Sequence, residues 1–147
     1  MTRWLAISNR ENSDVVIKKN VWGVPKRFVN QIGNTNQGDT LLIYVGQKVE
    51  KDNVLPPAIT GEFEIASAVY EDDSKIFTSP PKLGDEIVPL RIKLKPIKIF
   101  KDPVEFKPLI PRLHFITNKK QWSGHIRGQA MRTIPEEDYQ TILKAVK

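Results

Sequence analysis

The sequence predicts an α+β fold: a small, partly open mixed β-barrel with short flanking helices, spanning residues 1–147 as one domain. Three observations predict it. Strand-like apolar patterns come from widely separated parts of the chain. Short helical stretches lie between them, punctuated by turns that draw on 8 glycines and 11 prolines. The length suits one domain with a real core, at 39% hydrophobic and 27% charged residues.

Residues 4–8 open as a strand, with Leu5 and Ile7 alternating with Trp4, Ala6 and Ser8. The chain leaves that strand through Ser8 and Asn9, residue types that cap helices and bond nearby backbone. Residues 11–19 can form a short helix with Val15, Val16 and Ile17 as its apolar side. Pro25 pre-sets φ for a second helix over 26–32, carrying Phe28, Val29 and Ile32 inward. Residues 33–38 read as turn and C-cap. Residues 40–45 run Thr-Leu-Leu-Ile-Tyr-Val without polar alternation, which predicts a strand buried on both faces.

Residues 47–57 are charged and end in Pro56 and Pro57, a surface loop. Residues 59–70 alternate: Gly61, Phe63, Ile65, Ser67 and Val69 on one face, Thr60, Glu62, Glu64 and Tyr70 on the other. Residues 71–74 predict a turn and 80–85 a loop. Residues 87–94 predict a strand with Leu90, Ile92 and Leu94 inward and Arg91, Lys93 and Lys95 outward; Pro96 then breaks the ladder. Asp102, Pro103 and Glu105 form a helix start, with Pro108 and Pro111 stopping that helix early. Residues 117–128 are turn-rich and hold Trp122, His125 and Arg127. A last helix follows Pro135, with Glu136, Glu137 and Asp138 in its first turn and Tyr139, Ile142, Leu143 and Val146 along one side.

Charge is unevenly placed. Residues 1–85 hold ten Lys/Arg against eleven Asp/Glu, whereas residues 86–147 hold thirteen against six. A basic half on a small domain is the footprint of a polyanion partner, so nucleic acid is the expected partner. No apolar run approaches the ~20 residues of a membrane span, and the N-terminus has no signal-type apolar region. With no cysteine in the chain, these features predict a cytoplasmic protein without disulfides or thiolate metal sites.

The pocket is expected where the first strand, first helix and Trp22 meet. A flat aromatic beside Gly23 leaves room for something planar against the indole, with Ser8, Asn9 and Asn12 as edge readers of a flat heterocycle. An Asn amide offers one acceptor and two donors for that purpose. Trp122, beside Ser123 and Gly124, is a candidate lid. The outward row Arg91, Lys93 and Lys95, together with Arg127, is a candidate phosphate track. His114 and His125 have no acid at ligand spacing, and no base sits beside a nucleophile. Neither metal, cofactor nor catalysis is expected.

Several stretches together resemble the EVE domain. They are the strand at 4–8, Asn12, Val21-Trp22-Gly23-Val24, Gly38-Asp39, residues 61–65, residues 70–73, and residues 122–131 followed by 134–139. The resemblance covers essentially the whole chain. It implies a PUA-like pseudobarrel, similar to the YTH domains that read N6-methyladenine in RNA, and a non-catalytic reader of a modified nucleobase in RNA or DNA. By the same resemblance Ser8, Asn9 and Asn12 would contact the base edge, and Trp22, flanked by Gly23 and Val24, would wall an aromatic cage. The second cage tryptophan of YTH domains has no counterpart at its usual place; Tyr70, Phe77 or Trp122 could fill it. Two other functions compete: a small-molecule or protein-interaction module on the same fold, and an enzyme acting on a nucleobase.

Overall fold

Two strands that can only be buried set the architecture. In the computed structural model of the chain, which describes residues 1–78 and 88–147, β1 (Arg3–Ser8) lies parallel to a second strand, Thr40–Val45, with Leu5 opposite Leu42. Every residue of Thr40–Val45 is buried. Leu41, Ile43 and Val45 join Trp4 and Ala6 in one hydrophobic cluster, while Leu42 and Tyr44 join Leu5 in another on the opposite face. Both faces are covered, so no polar alternation is needed.

The crossover between these strands consists of α1 (Arg10–Lys19), β2 (Val21–Val24), a single-turn 3-10 segment Lys26–Phe28 and α2 (Val29–Gly33); Thr40–Val45 is therefore β3. Asn9 caps α1: its side-chain oxygen accepts the Asn12 N–H at 2.7 Å. The second helix is not the continuous one expected over 26–32. The 3-10 turn has three residues per turn, which shifts the phase of the pattern. Ile32 is buried as expected, but Val29 is 52% exposed.

After β3 come the hairpin β4 (Lys48–Glu50) and β5 (Asn53–Leu55), then β6 (Ala58–Ile65), β7 (Tyr70–Glu71), β8 (Leu90–Glu105), β9 (Met131–Ile134) and α3 (Glu136–Lys144). The main sheet runs β2-β8-β6-β3-β1-β9, with β7 also on β8. It is a mixed sheet curled into a half-barrel, as expected. Val49 faces Val54 across a hairpin in the stretch expected to be loop. The expected loop at 80–85 and the strand start at Ile87 lie outside the described residues.

Two corrections come from β6 pairing with β8. The strand does not end at Leu94: the ladder is interrupted at Pro96, where the register with β6 shifts between Glu62 and Phe63, and β8 continues beyond it. Asp102-Pro103 does not start a helix: β8 runs on, with Val104 opposite Ile59. Pairing with β6 and burying Phe100 and Val104 outweighs a capping signal worth about 1 kcal/mol.

A third correction concerns the face opposite the first core. Glu62, expected outward, is 5% exposed and accepts the Tyr139 hydroxyl of α3. Asp138, fully buried, accepts the backbone N–H groups of His114 and Phe115, each at 2.8 Å. These bonds lock α3 over the second cluster. Among the described residues, no helix is long and apolar enough to cross a membrane.

Candidate functional site

A cavity of about 300 Å³ opens where β1 gives way to α1. Its apolar wall is Trp22, Phe28, Phe77 and Val88; Ser8, Asn9, Asn12, Thr78 and Gln129 supply the polar positions and Arg27 the charge. Ser8, Asn9, Asn12, Trp22 and Gly23 are thus brought together, because a strand, a capped helix and β2 follow one another with tight connections.

The polar groups are not equally available. Ser8 Oγ donates to the Asn9 carbonyl at 2.8 Å, and the Asn9 side-chain oxygen is engaged by the helix cap. Asn12 Nδ2 donates to the Thr78 carbonyl at 2.9 Å, and Asn12 Oδ1 accepts the Thr78 N–H at 2.8 Å and its hydroxyl at 3.2 Å. Asn12 is therefore a clamp on the outer wall as well as a lining residue. Gln129 Nε2 donates to the His125 carbonyl at 3.2 Å. The Gln129 side-chain oxygen and Asn9 Nδ2 bond none of the described residues.

Trp22 is 4% exposed, and its indole N–H is buried without an acceptor among the described residues. An orphaned donor of this kind costs about 1–3 kcal/mol. Gly23 does not leave open space beside the indole as expected. A Cβ there would stand 3.0 Å from Phe77 Cε2 and 3.1 Å from both Arg91 Cγ and Val88 Cγ1, so the chain's own side chains fill that room. Val24 is fully buried in the core cluster and does not line the cavity.

The remaining candidates lie elsewhere. Tyr70 is half-buried on β7 opposite Arg91, away from the cavity, with its hydroxyl pKa raised chiefly by burial. Of the three aromatics considered for a second cage wall, Phe77 is the one at this cavity. Its partners could not be found by spacing, because the segment that carries it returns to the site through long-range pairing.

Trp122 packs on Phe106, ring centroids 5.7 Å apart, and with Arg127 lines a second cavity of about 420 Å³ rather than covering the first.

Arg91 corrects the expected phosphate track. It is 1% exposed: Nε donates to the Val88 carbonyl at 3.0 Å, Nη1 to Ser74 Oγ at 2.8 Å, and Nη2 to the Ser74 carbonyl. Asp72 Oδ1 lies 3.3 Å from Nη1. The period-two assignment put Arg91 on the face opposite Leu90 and Ile92; β7 and residues 72–78 cover that face too. Lys93 and Lys95 remain exposed on β8 but line neither cavity. Among the described residues no group of three or more His, Asp or Glu side chains could hold a metal ion.

The mixed sheet curled into a half-barrel, with short helices around it, defines a class of small α+β modules, and the sequence places this one in a family. The EVE-domain family model matches residues 2–145, and the chain belongs to that family. A UPF0310 protein of Pyrococcus abyssi is 53% identical over 142 residues, 97% of each chain. Human THYN1, solved in complex with 5-methylcytosine-containing DNA, is similar with a TM-score of 0.63 at 16% identity, over 98% of this chain and 96% of that one. The Mmi1 YTH domain, solved in complex with RNA, is similar with a TM-score of 0.64 at 9% identity, over 99% and 77%. At those identities the likeness is one of fold.

Proposed function

We propose that the protein is a non-catalytic nucleic-acid-binding module that lodges one modified nucleobase, unpaired or flipped from a duplex, in the cavity beside Trp22. One observation carries this reading: a small cavity walled by aromatic rings, with amide and hydroxyl groups at its edge and no carboxylate among the described residues that line it. Stacking of a base on an aromatic ring is worth on the order of 1–3 kcal/mol and tolerates any base. Selection must then come from the edges and from added methyl groups. Asn9 Nδ2 and the Gln129 oxygen offer one donor and one acceptor without competing partners among the described residues. A methyl group against Phe28 and Phe77 adds about 0.8 kcal/mol by burial. The complexes of THYN1 with 5-methylcytosine-containing DNA and of the Mmi1 YTH domain with RNA, both similar in fold, support a nucleic-acid partner.

The test is a titration of short single-stranded oligonucleotides carrying one 5-methylcytosine (DNA) or one N6-methyladenine (RNA), against unmodified controls, across a salt series. The wild-type protein is expected to prefer one modified strand, with affinity falling as salt rises. Trp22→Ala, checked for folding by circular dichroism, should lose the preference, and Trp22→Phe should keep part of it. A folded Trp22→Ala variant with the preference intact overturns the pocket assignment. Salt-independent capture of a free nucleoside, with no strand bound, overturns the nucleic-acid reading in favour of a small-molecule module.

A further inference from the structure

Trp122 and Arg127 do not belong to the Trp22 cavity, yet they line a cavity that adjoins it. Ile7 and Ser8 line both. The segment from Trp122 onward divides between them: Trp122, Ser123, Ile126 and Arg127 face the second cavity, Gly128, Gln129 and Ala130 the first. That divide is held in place, because the Ile7 N–H donates to the Ala130 carbonyl at 2.9 Å and Gly128 turns the chain at φ 80°. The two mouths therefore open on either side of one fixed wall.

The second cavity has its own chemistry. Among the described residues that line it are two cations, Lys107 and Arg127, and no carboxylate. Both cations are exposed; Lys107 Nζ has one contact, 3.4 Å from Gln47 Oε1, and the Arg127 guanidinium bonds none of the described residues. Trp122 is half-buried, its ring seated on Phe106, which in turn meets Tyr44 edge-on with centroids 5.0 Å apart. Tyr44 is 4% exposed and lines the cavity, yet its hydroxyl bonds none of the described residues. Burial pushes that hydroxyl up to about 12, so it remains a neutral donor at ordinary pH. A flat ring, a hydroxyl without a partner among the described residues and two exposed cations fit a planar group attached to an anion. A further cavity, along α1, differs: Glu11, Asp14 and Glu50 line it beside Arg10 and Lys48.

A strand whose one base occupies the Trp22 cavity must place the next nucleotide outside it. We infer that the Trp122 cavity is the subsite for the nucleotide adjoining the captured base, its phosphate held by Lys107 and Arg127 and its base stacked on Trp122. The inference rests on the proposed function for the identity of the ligand, but its residues are separate from those of the first cavity.

The probes are the same modified and unmodified single strands, together with a modified strand carrying an abasic site next to the modified base, on either side in turn. Lys107→Gln combined with Arg127→Gln, both exposed, should weaken modified and unmodified strands alike and lower the salt slope by about 0.7, the value for the one phosphate they hold on a single strand. The preference for the modified strand should persist. An abasic neighbour on one side should cost wild type about tenfold, and cost Trp122→Ala nothing further, the mark of one shared contact. Because Trp122→Ala also removes packing on Phe106, the double glutamine variant is the independent check. An unchanged salt slope in that variant, or an abasic penalty that persists in Trp122→Ala, overturns the subsite. Wild-type binding without modification preference would sink the proposed function alone, since the slope and abasic readouts still decide the subsite. No binding of any strand overturns both.

Discussion

Arg91 separates a structural guanidinium from a phosphate-binding one. In Arg91→Met the stem beside Gly23 and Phe77 is kept and the fork is lost. Three hydrogen bonds go with it, to the Val88 carbonyl, Ser74 Oγ and the Ser74 carbonyl, together with the Asp72 ion pair. Bonds from a charged donor are worth about 1.5–3 kcal/mol each, for a gross loss of about 6 kcal/mol. Against that, a guanidinium that is 1% exposed carries a desolvation cost of several kcal/mol, which the thioether does not incur. Ser74 is exposed, so its freed acceptors return to water. The net expectation is a loss of about 3 kcal/mol, or a fall in Tm of about 6–12 °C for a chain of this size. Urea unfolding followed by circular dichroism, with an unchanged m-value, measures it. Arg91→Lys should lose most of the same stability, because an ammonium cannot span Val88 and Ser74 together. A Tm within about 2 °C of wild type, with a smaller salt slope for oligonucleotides, would refute the argument and restore Arg91 to the phosphate track.

Two further outcomes are expected. The Tyr139 hydroxyl, buried and donating to Glu62, has its pKa pushed up to about 12 from an ordinary value near 10, as burial first and then Glu62 disfavour the phenolate. A folded pKa above the unfolded one means that this stabilisation is complete below about pH 10 and is lost as pH rises through about 12. Tyr139→Phe should therefore flatten part of the alkaline fall in urea midpoint, with Tyr44 and Tyr70, both raised by burial, contributing to the remainder; an identical alkaline profile would show that the bond does not form. Asp138→Ala strands the backbone N–H groups of His114 and Phe115 and should cost about 3–5 kcal/mol, with Asp138→Asn, which keeps one acceptor, near half of that. Thermal unfolding checks both, and a loss under about 1 kcal/mol would contradict the buried anchor.

Local chemistry was legible wherever the chain itself decides the outcome. Asn9 caps α1 because its side chain needs only the next three residues, and β3 is recognisable because no polar residue interrupts it. The strand-helix-strand order also brought Ser8, Asn9, Asn12 and Trp22 to one cavity without knowledge of any partner strand. What failed depends on coverage from afar. Period two puts Arg91 and Glu62 opposite their apolar neighbours, but cannot say that residues 72–78 cover the one and α3 the other. The helix signal at Asp102 lost because β6 offers a partner that no local pattern reveals. Trp122 and Phe77 could not be told apart as wall residues, since each reaches its position through pairings far along the chain.

The outer wall of the Trp22 cavity is fixed before any ligand arrives. Arg91 holds Ser74 from below, the Asp72 N–H donates to the Pro89 carbonyl at 2.9 Å, and Asn12 engages the backbone of Thr78 from both sides. Phe77 lies between these anchors. A preformed wall removes from binding the cost of ordering a loop, a cost and a gain that are the same for every base. Asn12→Ala should accordingly weaken modified and unmodified strands by a similar factor, about five- to thirtyfold if binding must then order one further residue at about 1–2 kcal/mol. Trp22→Ala, in contrast, should change their ratio. If Asn12→Ala abolishes the ratio and leaves binding of the unmodified strand untouched, Asn12 reads the base directly and its bonds to Thr78 give way to the ligand.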